Sequence, residues 1–164
     1  MALDEKTMVS LATATAQEVI AELGLQPHPE GGHFVESFRD RSVAGERGAV
    51  TVIYFLLQSG EVSRWHRVDA VEIWHWYAGA PLKLRIAELE GTTPKEHLLG
   101  SNVLAGARPQ AVVLPNAWQS ARSLGDWTLV GCTVAPAFQF EGFDLAPQGW
   151  MPETASVREK ADAT

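Results

Sequence analysis

Residues Ser59–Gly79 read SGEVSRWHRVDAVEIWHWYAG, a span that carries two histidines, two glutamates and three tryptophans. Within it Gly60, His66, Val68, Glu72 and Gly79 are separated by five, one, three and six residues. Outward from this span, from His33 to the end of the apolar sequence, the chain is a series of short apolar or alternating runs: HFVESFR, AVTVIYFLLQ, AVEIWHWYA, LKLRIAEL, EHLLG, QAVVLP, WQSARSL, WTLVGCTVA and FEGFDLA. Turn residues punctuate them, among them Gly45, Gly60, Gly79 with Pro81, Gly91, Gly106 with Pro109, Asn116 and Gly125. Even spacing without long amphipathic segments between strands predicts an antiparallel sandwich or barrel. A helix is predicted only near the start, where Thr15 can cap, Val19, Ile20 and Leu23 recur at helical spacing, and Gly24 ends the run.

The chain has 164 residues, 46% of them hydrophobic, which suits one core and one domain. Asp and Glu number 20 against 13 Lys and Arg, and a net charge of -7 repels a polyanion, so nucleic acid is not expected as a partner. Cys132, the single cysteine, lies in an apolar run and reads as a small buried hydrophobe in a reducing compartment. The start, MALDEKTMVSLATATAQ, has neither a basic leader nor an unbroken apolar stretch, and no run approaches a membrane span of about 20 apolar residues. A cytoplasmic protein without a membrane partner is the expectation. The polar end, residues 153–164, reads as a tail.

Four segments, HPEGGHFVESFR, TVIYFLLQSGEVSRWHRVDAVEIWHWYAGAPL, RPQAVVLPNAWQSA and WTLVGCTVAPAFQFEGFDLA, together resemble the single-domain Cupin-5 branch of the cupin superfamily, a domain of unknown function. The match runs from about Leu25 to Trp150. The resemblance implies an all-β fold, a single cupin jelly-roll β-barrel (a double-stranded β-helix) over residues 25–152. Residues 1–24 then form an extension with a short N-terminal helix. It also implies a homodimer and a fold shared with sugar-nucleotide epimerases, germins and seed storage proteins. It implies no reaction, because one fold hosts many chemistries.

The spacing from Gly60 to Gly79 is the frame of the first cupin motif, with one departure. Metal-holding cupins usually place a second histidine where this chain has Val68. Their third histidine falls in VVLPNAWQSAR: on Gln119 if Asn116, which tolerates the left-handed conformation, takes the glycine slot, or on Ser120 in the register set by Pro115. Neither is a histidine. No metal cofactor is therefore favoured; a divalent transition metal, if held, would have His66, Glu72 and Gln119 as ligands, a poor set for tight binding.

Strand parity points Glu72, Trp74 and Trp76 to one face and Ile73, His75 and Tyr77 to the other. Two inward indoles serve either as barrel core or as the wall of a site for a ring-bearing ligand. His66 beside Glu72 is the pairing that proton transfer or ligand orientation needs near neutral pH. The same parity, in an undistorted strand, brings Arg64 inward as a fixed charge. Tyr54 is the candidate phenolic acid. In HPEGGHFVESFR, Gly31 and Gly32 allow a tight turn that would let Glu30, His33 and Glu36 line the mouth.

The leading expectation is a pocket for a small polar or ring-bearing metabolite, with His66, Glu72 and Gln119 making directional hydrogen bonds. A second is an epimerase-like isomerase with His66 as base, Glu72 or Asp69 orienting it, and Tyr54 returning the proton. A third is a metal-dependent isomerase or dioxygenase, with His33 as an added ligand. A fourth is a structural protein that dimerises through Ile73, His75 and Tyr77.

Overall fold

The computed structural model describes residues 10–41 and 43–152; the start of the chain and the 153–164 tail discussed above lie outside them. One helix, α1 (Ala16–Leu23), precedes eleven strands. They are β1 (Gln26–Pro27), β2 (His33–Arg39), β3 (Thr51–Gln58), β4 (Val62–Val68), β5 (Val71–Gly79) and β6 (Leu82–Ala87). After them come β7 (Lys95–Leu99), β8 (Gln110–Val113), β9 (Trp118–Ser123), β10 (Trp127–Ala135) and β11 (Phe143–Leu145).

The strands form two antiparallel sheets, one in the order β1-β2-β3-β10-β5-β8 and the other in the order β11-β4-β9-β6-β7. From β3 onward the chain shuttles between them, returning to the same sheet only at β6 and β7. That is jelly-roll winding, and it answers the turn spacing of the sequence. Alternate residues of both sheets meet in one core: Phe55, Leu57, Trp74 and Val130 from the first, Leu82, Leu84, Ile86 and Ala121 from the second. No helix among the described residues is long and apolar enough to cross a membrane.

Thr15 caps α1 as expected: its side chain accepts from the Glu18 N–H, and the Glu18 carboxylate accepts from the Thr15 N–H, a reciprocal pair that satisfies two otherwise free donors. Gly24 ends the helix in the left-handed conformation. The helix lies outside the barrel, where Val19 and Leu25 pack with Leu56, Ala78, Trp127 and Leu129.

Two local features position the site. Between Ser63 and His66 the register of β4 against β9 shifts, so that three steps along β4 match two along β9 and the strand's alternation breaks. The turn before β2 is held flat against β4: Gly31 and Gly32 have φ of 113° and 74°, and a Cβ on Gly31 would strike the Val62 carbonyl. The Arg64 N–H donates to the Glu30 carbonyl at 2.9 Å, which fastens that turn to the strand carrying His66.

Candidate functional site

A cavity of about 380 Å³ opens at one end of the barrel. Its polar floor is made of His28, Glu30, His66 and Glu72, and Cys132 lies in its wall. Five of the chain's six phenylalanines line it, Phe34, Phe55, Phe138, Phe140 and Phe143, and none of its six tryptophans does. Of the two readings open for Trp74 and Trp76, core or ligand wall, the packing matches the core one, and the wall is built from phenyl rings. Its one lining cation, Arg39, is engaged at the mouth by a two-pronged contact with Glu36, Nε at 2.9 Å and Nη2 at 2.8 Å.

The floor brings buried imidazole and carboxyl groups into close contact. The Nδ1 of His66 lies 2.7 Å from the Arg64 carbonyl, which can only accept, so Nδ1 carries a proton. The other ring nitrogen, Nε2, faces Glu30 Oε2 at 3.3 Å. The Ser63 hydroxyl donates to the second oxygen, Oε1, at 2.8 Å. Burial pushes the Glu30 carboxyl up from its ordinary value and pushes the His66 imidazole down from its own. Both shifts favour a carboxylic acid donating to a neutral imidazole. His28 completes the floor: its Nδ1 accepts from the Glu30 backbone N–H at 3.2 Å, leaving Nε2 as the protonated nitrogen of its neutral form. Burial lowers its pKa as well, and its ring meets Phe34 edge-on at 4.5 Å.

Glu72 enters from the opposite sheet. Its Oε2 accepts from Gln119 Nε2 at 2.6 Å, and Gln119 Oε1 accepts from Trp74 Nε1 at 2.8 Å. Since an indole N–H only donates, the amide of Gln119 can be turned one way alone, with its NH2 toward Glu72. Burial is the leading cause that raises the Glu72 pKa, opposed by His66 and reinforced by Glu30. The Cys132 thiol is buried and held well above its ordinary value, first by desolvation and then by the charge of Glu72, so it is an inert thiol here.

Of the residues expected in the site, His66 and Glu72 converge in the cavity, Glu36 stands at its mouth, and Glu30, expected at the mouth, lies deeper against His66. Gln119 lies behind the floor and reaches the cavity only through Glu72. Trp74 is fully buried beneath it, and Trp76, whose N–H donates to the Ala80 carbonyl at 3.0 Å, packs against the core further along the barrel. Tyr54 points out of the barrel, toward Tyr77 and the cluster beneath α1: it shares the face of Leu56, while Phe55 takes the inner one. A phenolic acid from Tyr54 is therefore corrected. So is an inward Arg64, because the shift in β4 turns it to the outer side, where its Nη2 donates to the Pro29 carbonyl at 3.1 Å. His33 lies beside Glu61, at 3.8 Å, and outside the cavity. Asp69 is bound by Arg47 in a two-pronged pair, away from His66. Ile73, His75 and Tyr77 do take the outer face, with His75 and Tyr77 stacked at 6.3 Å. His28 was not legible: flanked by prolines, it gave no periodic signal, and its role depends on where the glycine turn folds back.

A metal fits this arrangement poorly. Among the described residues no group of three His, Cys, Asp or Glu side chains comes together to hold one. Val68 has no donor atom, Gln119 turns N–H groups to Glu72 instead of an oxygen, and both nitrogens of His66 already face oxygen partners.

Comparison with known proteins agrees with the winding of the sheets. A Shewanella oneidensis protein solved by a structural genomics consortium is 32% identical, covers 92% of this chain and 94% of its own, and superposes with a TM-score of 0.79. A hypothetical protein from Leishmania major is 28% identical over 92% of this chain and 96% of its own, with a TM-score of 0.77. L-ribose isomerase from Cellulomonas parahominis, 10% identical over 74% of this chain and 79% of its own, has a TM-score of 0.55 and shares the fold alone. No curated protein matches the sequence. The family model described as cupin superfamily (DUF985) matches residues 17–146, and the chain is a member of that family.

Proposed function

We propose that the cavity binds a small ring-bearing metabolite, its ring against the phenylalanine walls and its polar edge on the Glu30–His66–Glu72 floor. The observation that carries this reading is the pairing of a buried acid and imidazole, Glu30 Oε2 to His66 Nε2 at 3.3 Å, at the bottom of an otherwise apolar cavity. Buried polar groups that converge in an apolar pocket are the usual mark of a site for a small molecule. The volume suits a ligand of about one substituted ring. With Arg39 engaged by Glu36 as the one lining cation, the cavity favours an uncharged polar edge, such as a hydroxyl or carbonyl, over a phosphate. We read the site as working without a resident transition metal, on the donor set above.

A second reading, proton transfer next to a carbonyl, is favoured by the same contact. The Nε2 lone pair of His66 could remove a proton once Glu30 swings away, or Glu30 could supply one. Solvent deuterium appearing in a bound compound separates transfer from simple binding.

The experiment is a thermal-shift screen of ring-bearing hydroxy and carbonyl compounds against the wild type and His66→Ala. At least one compound is expected to raise the wild-type Tm by about 3 °C or more, which for a domain of this size is about 1 kcal/mol of linkage, and to leave the variant unmoved. Equal responses from both proteins, or none from the wild type, would sink the proposal.

A further inference from the structure

The outer face of the second sheet carries a groove of about 530 Å³ that shares no lining residue with the barrel cavity. Arg64, Lys83, Arg85 and Arg122 line it, four of the chain's 13 basic residues, in a protein whose net charge is -7. Its one acidic lining residue is Glu96. Register explains the crowding: Lys83 on β6 lies directly opposite Arg122 on β9, and Arg85 follows on the same face. Like charges directly opposed on neighbouring strands are destabilising, so such a pair calls for an anion to offset it.

Glu96 meets that need only in part. It accepts from Lys83 at 2.9 Å and lies 4.0 Å from Arg85, yet it is half exposed on the edge strand β7. The exposed side chain of Arg122 is felt by Glu96 through charge alone, and among the described residues it closes no side-chain hydrogen bond or ion pair. The other guanidinium groups are held in place: Arg64 donates to the Pro29 carbonyl at 3.1 Å, and Arg85 lies over the ring of Trp65 at 5.2 Å while facing Glu96. Trp65, Trp150 and Val62 supply an apolar wall beside these charges.

From this juxtaposition we propose that the groove is an anion site for a small phosphorylated molecule, whose phosphate oxygens bridge Arg122, Lys83 and Arg64 while its organic part lies along Trp150. Several cations converging from three strands suit a phosphate group, which presents several acceptor oxygens, better than a lone carboxylate. The β4 irregularity that removes Arg64 from the barrel is what brings it here. The site is independent of the cavity, since Gln119 and His66 point inward from the strands whose neighbouring residues Ser120 and Arg122 face outward or line this groove.

The test is calorimetric titration of the full chain with inorganic diphosphate at low ionic strength. Saturable one-site binding is expected in the wild type. Arg122→Ser, an exposed position, should weaken it about tenfold, the loss of about 1.4 kcal/mol for one charge-assisted contact. Glu96→Gln, which removes the competing carboxylate, should tighten binding, and Glu72→Gln in the barrel should leave it unchanged. Absence of saturable binding, an Arg122→Ser affinity equal to the wild type, or a loss on Glu72→Gln would each overturn the proposal.

Discussion

Replacing Trp74 by alanine is expected to remove about 4 kcal/mol of stability, the cost typical of emptying a fully buried tryptophan site. The indole is wholly enclosed, meets Phe55 edge-on with ring centroids 5.9 Å apart, and makes the hydrogen bond that orients Gln119. The milder Trp74→Phe keeps most of the volume and removes only the N–H. Gln119 Oε1 is then left buried without its donor, a loss of about 1–3 kcal/mol. Urea denaturation followed by far-UV circular dichroism measures both variants. A phenylalanine variant as stable as the wild type would mean that the Trp74–Gln119–Glu72 line contributes nothing beyond packing.

Glu72→Gln is expected to act in the other direction. Because burial raises the carboxyl pKa in the folded protein, the unfolded chain ionises first as pH rises. The wild type's contribution from Glu72 is therefore complete below the unfolded value of 4.5 and declines as pH climbs through the raised folded value. Glu30 is shifted the same way and adds to that decline. His28 and His66, held below their ordinary value, act oppositely: their contribution is present above 6.5 and is lost as pH falls through their lowered folded values. Glutamine at position 72 can still accept from Gln119 while carrying no charge to desolvate. At pH 8 the variant should be more stable by about 2 kcal/mol, since it no longer has a desolvated carboxyl to ionise. That is a rise of about 5 °C in Tm for a domain of this size. At pH 5 the gain should shrink. A difference independent of pH between 5 and 8 would refute a buried, displaced carboxyl.

The fold was legible because its signals are local. Turn residues between apolar runs marked the strands, and Thr15, the spacing of Val19, Ile20 and Leu23, and Gly24 marked the helix. The pairing of His66 with Glu72 across a hairpin was legible for the same reason, as strand spacing carries both into one cavity. Parity then failed where strands are irregular. A register shift that no residue type announces turned Arg64 outward. For Tyr54 and Phe55, two neighbouring aromatics in an apolar strand, the sequence held no sign of which face α1 would cover. Trp74 did point inward, yet Gln119 and Glu72 close over it, and that depth depends on contacts between the sheets. The glycine turn suggested Glu30 for the mouth, but its depth beside His66, and the place of His28, are decided by where Gly31 and Gly32 land against β4, a contact between segments more than 30 residues apart. The phenylalanines of AFQFEGF reach the cavity from the far end of the chain and carried no spacing signal of their own.

The most direct measurement is a nuclear magnetic resonance titration of the ring nitrogens of His28 and His66, observed through their carbon-bound protons between pH 5 and 8. His66 is expected to remain a neutral imidazole at pH 7 with its proton on Nδ1, and its Nε2 signal should report a hydrogen bond received from Glu30 that disappears in Glu30→Ala. An imidazolium at pH 7, or a neutral ring protonated on Nε2, would contradict the proton-sharing floor on which the functional reading stands.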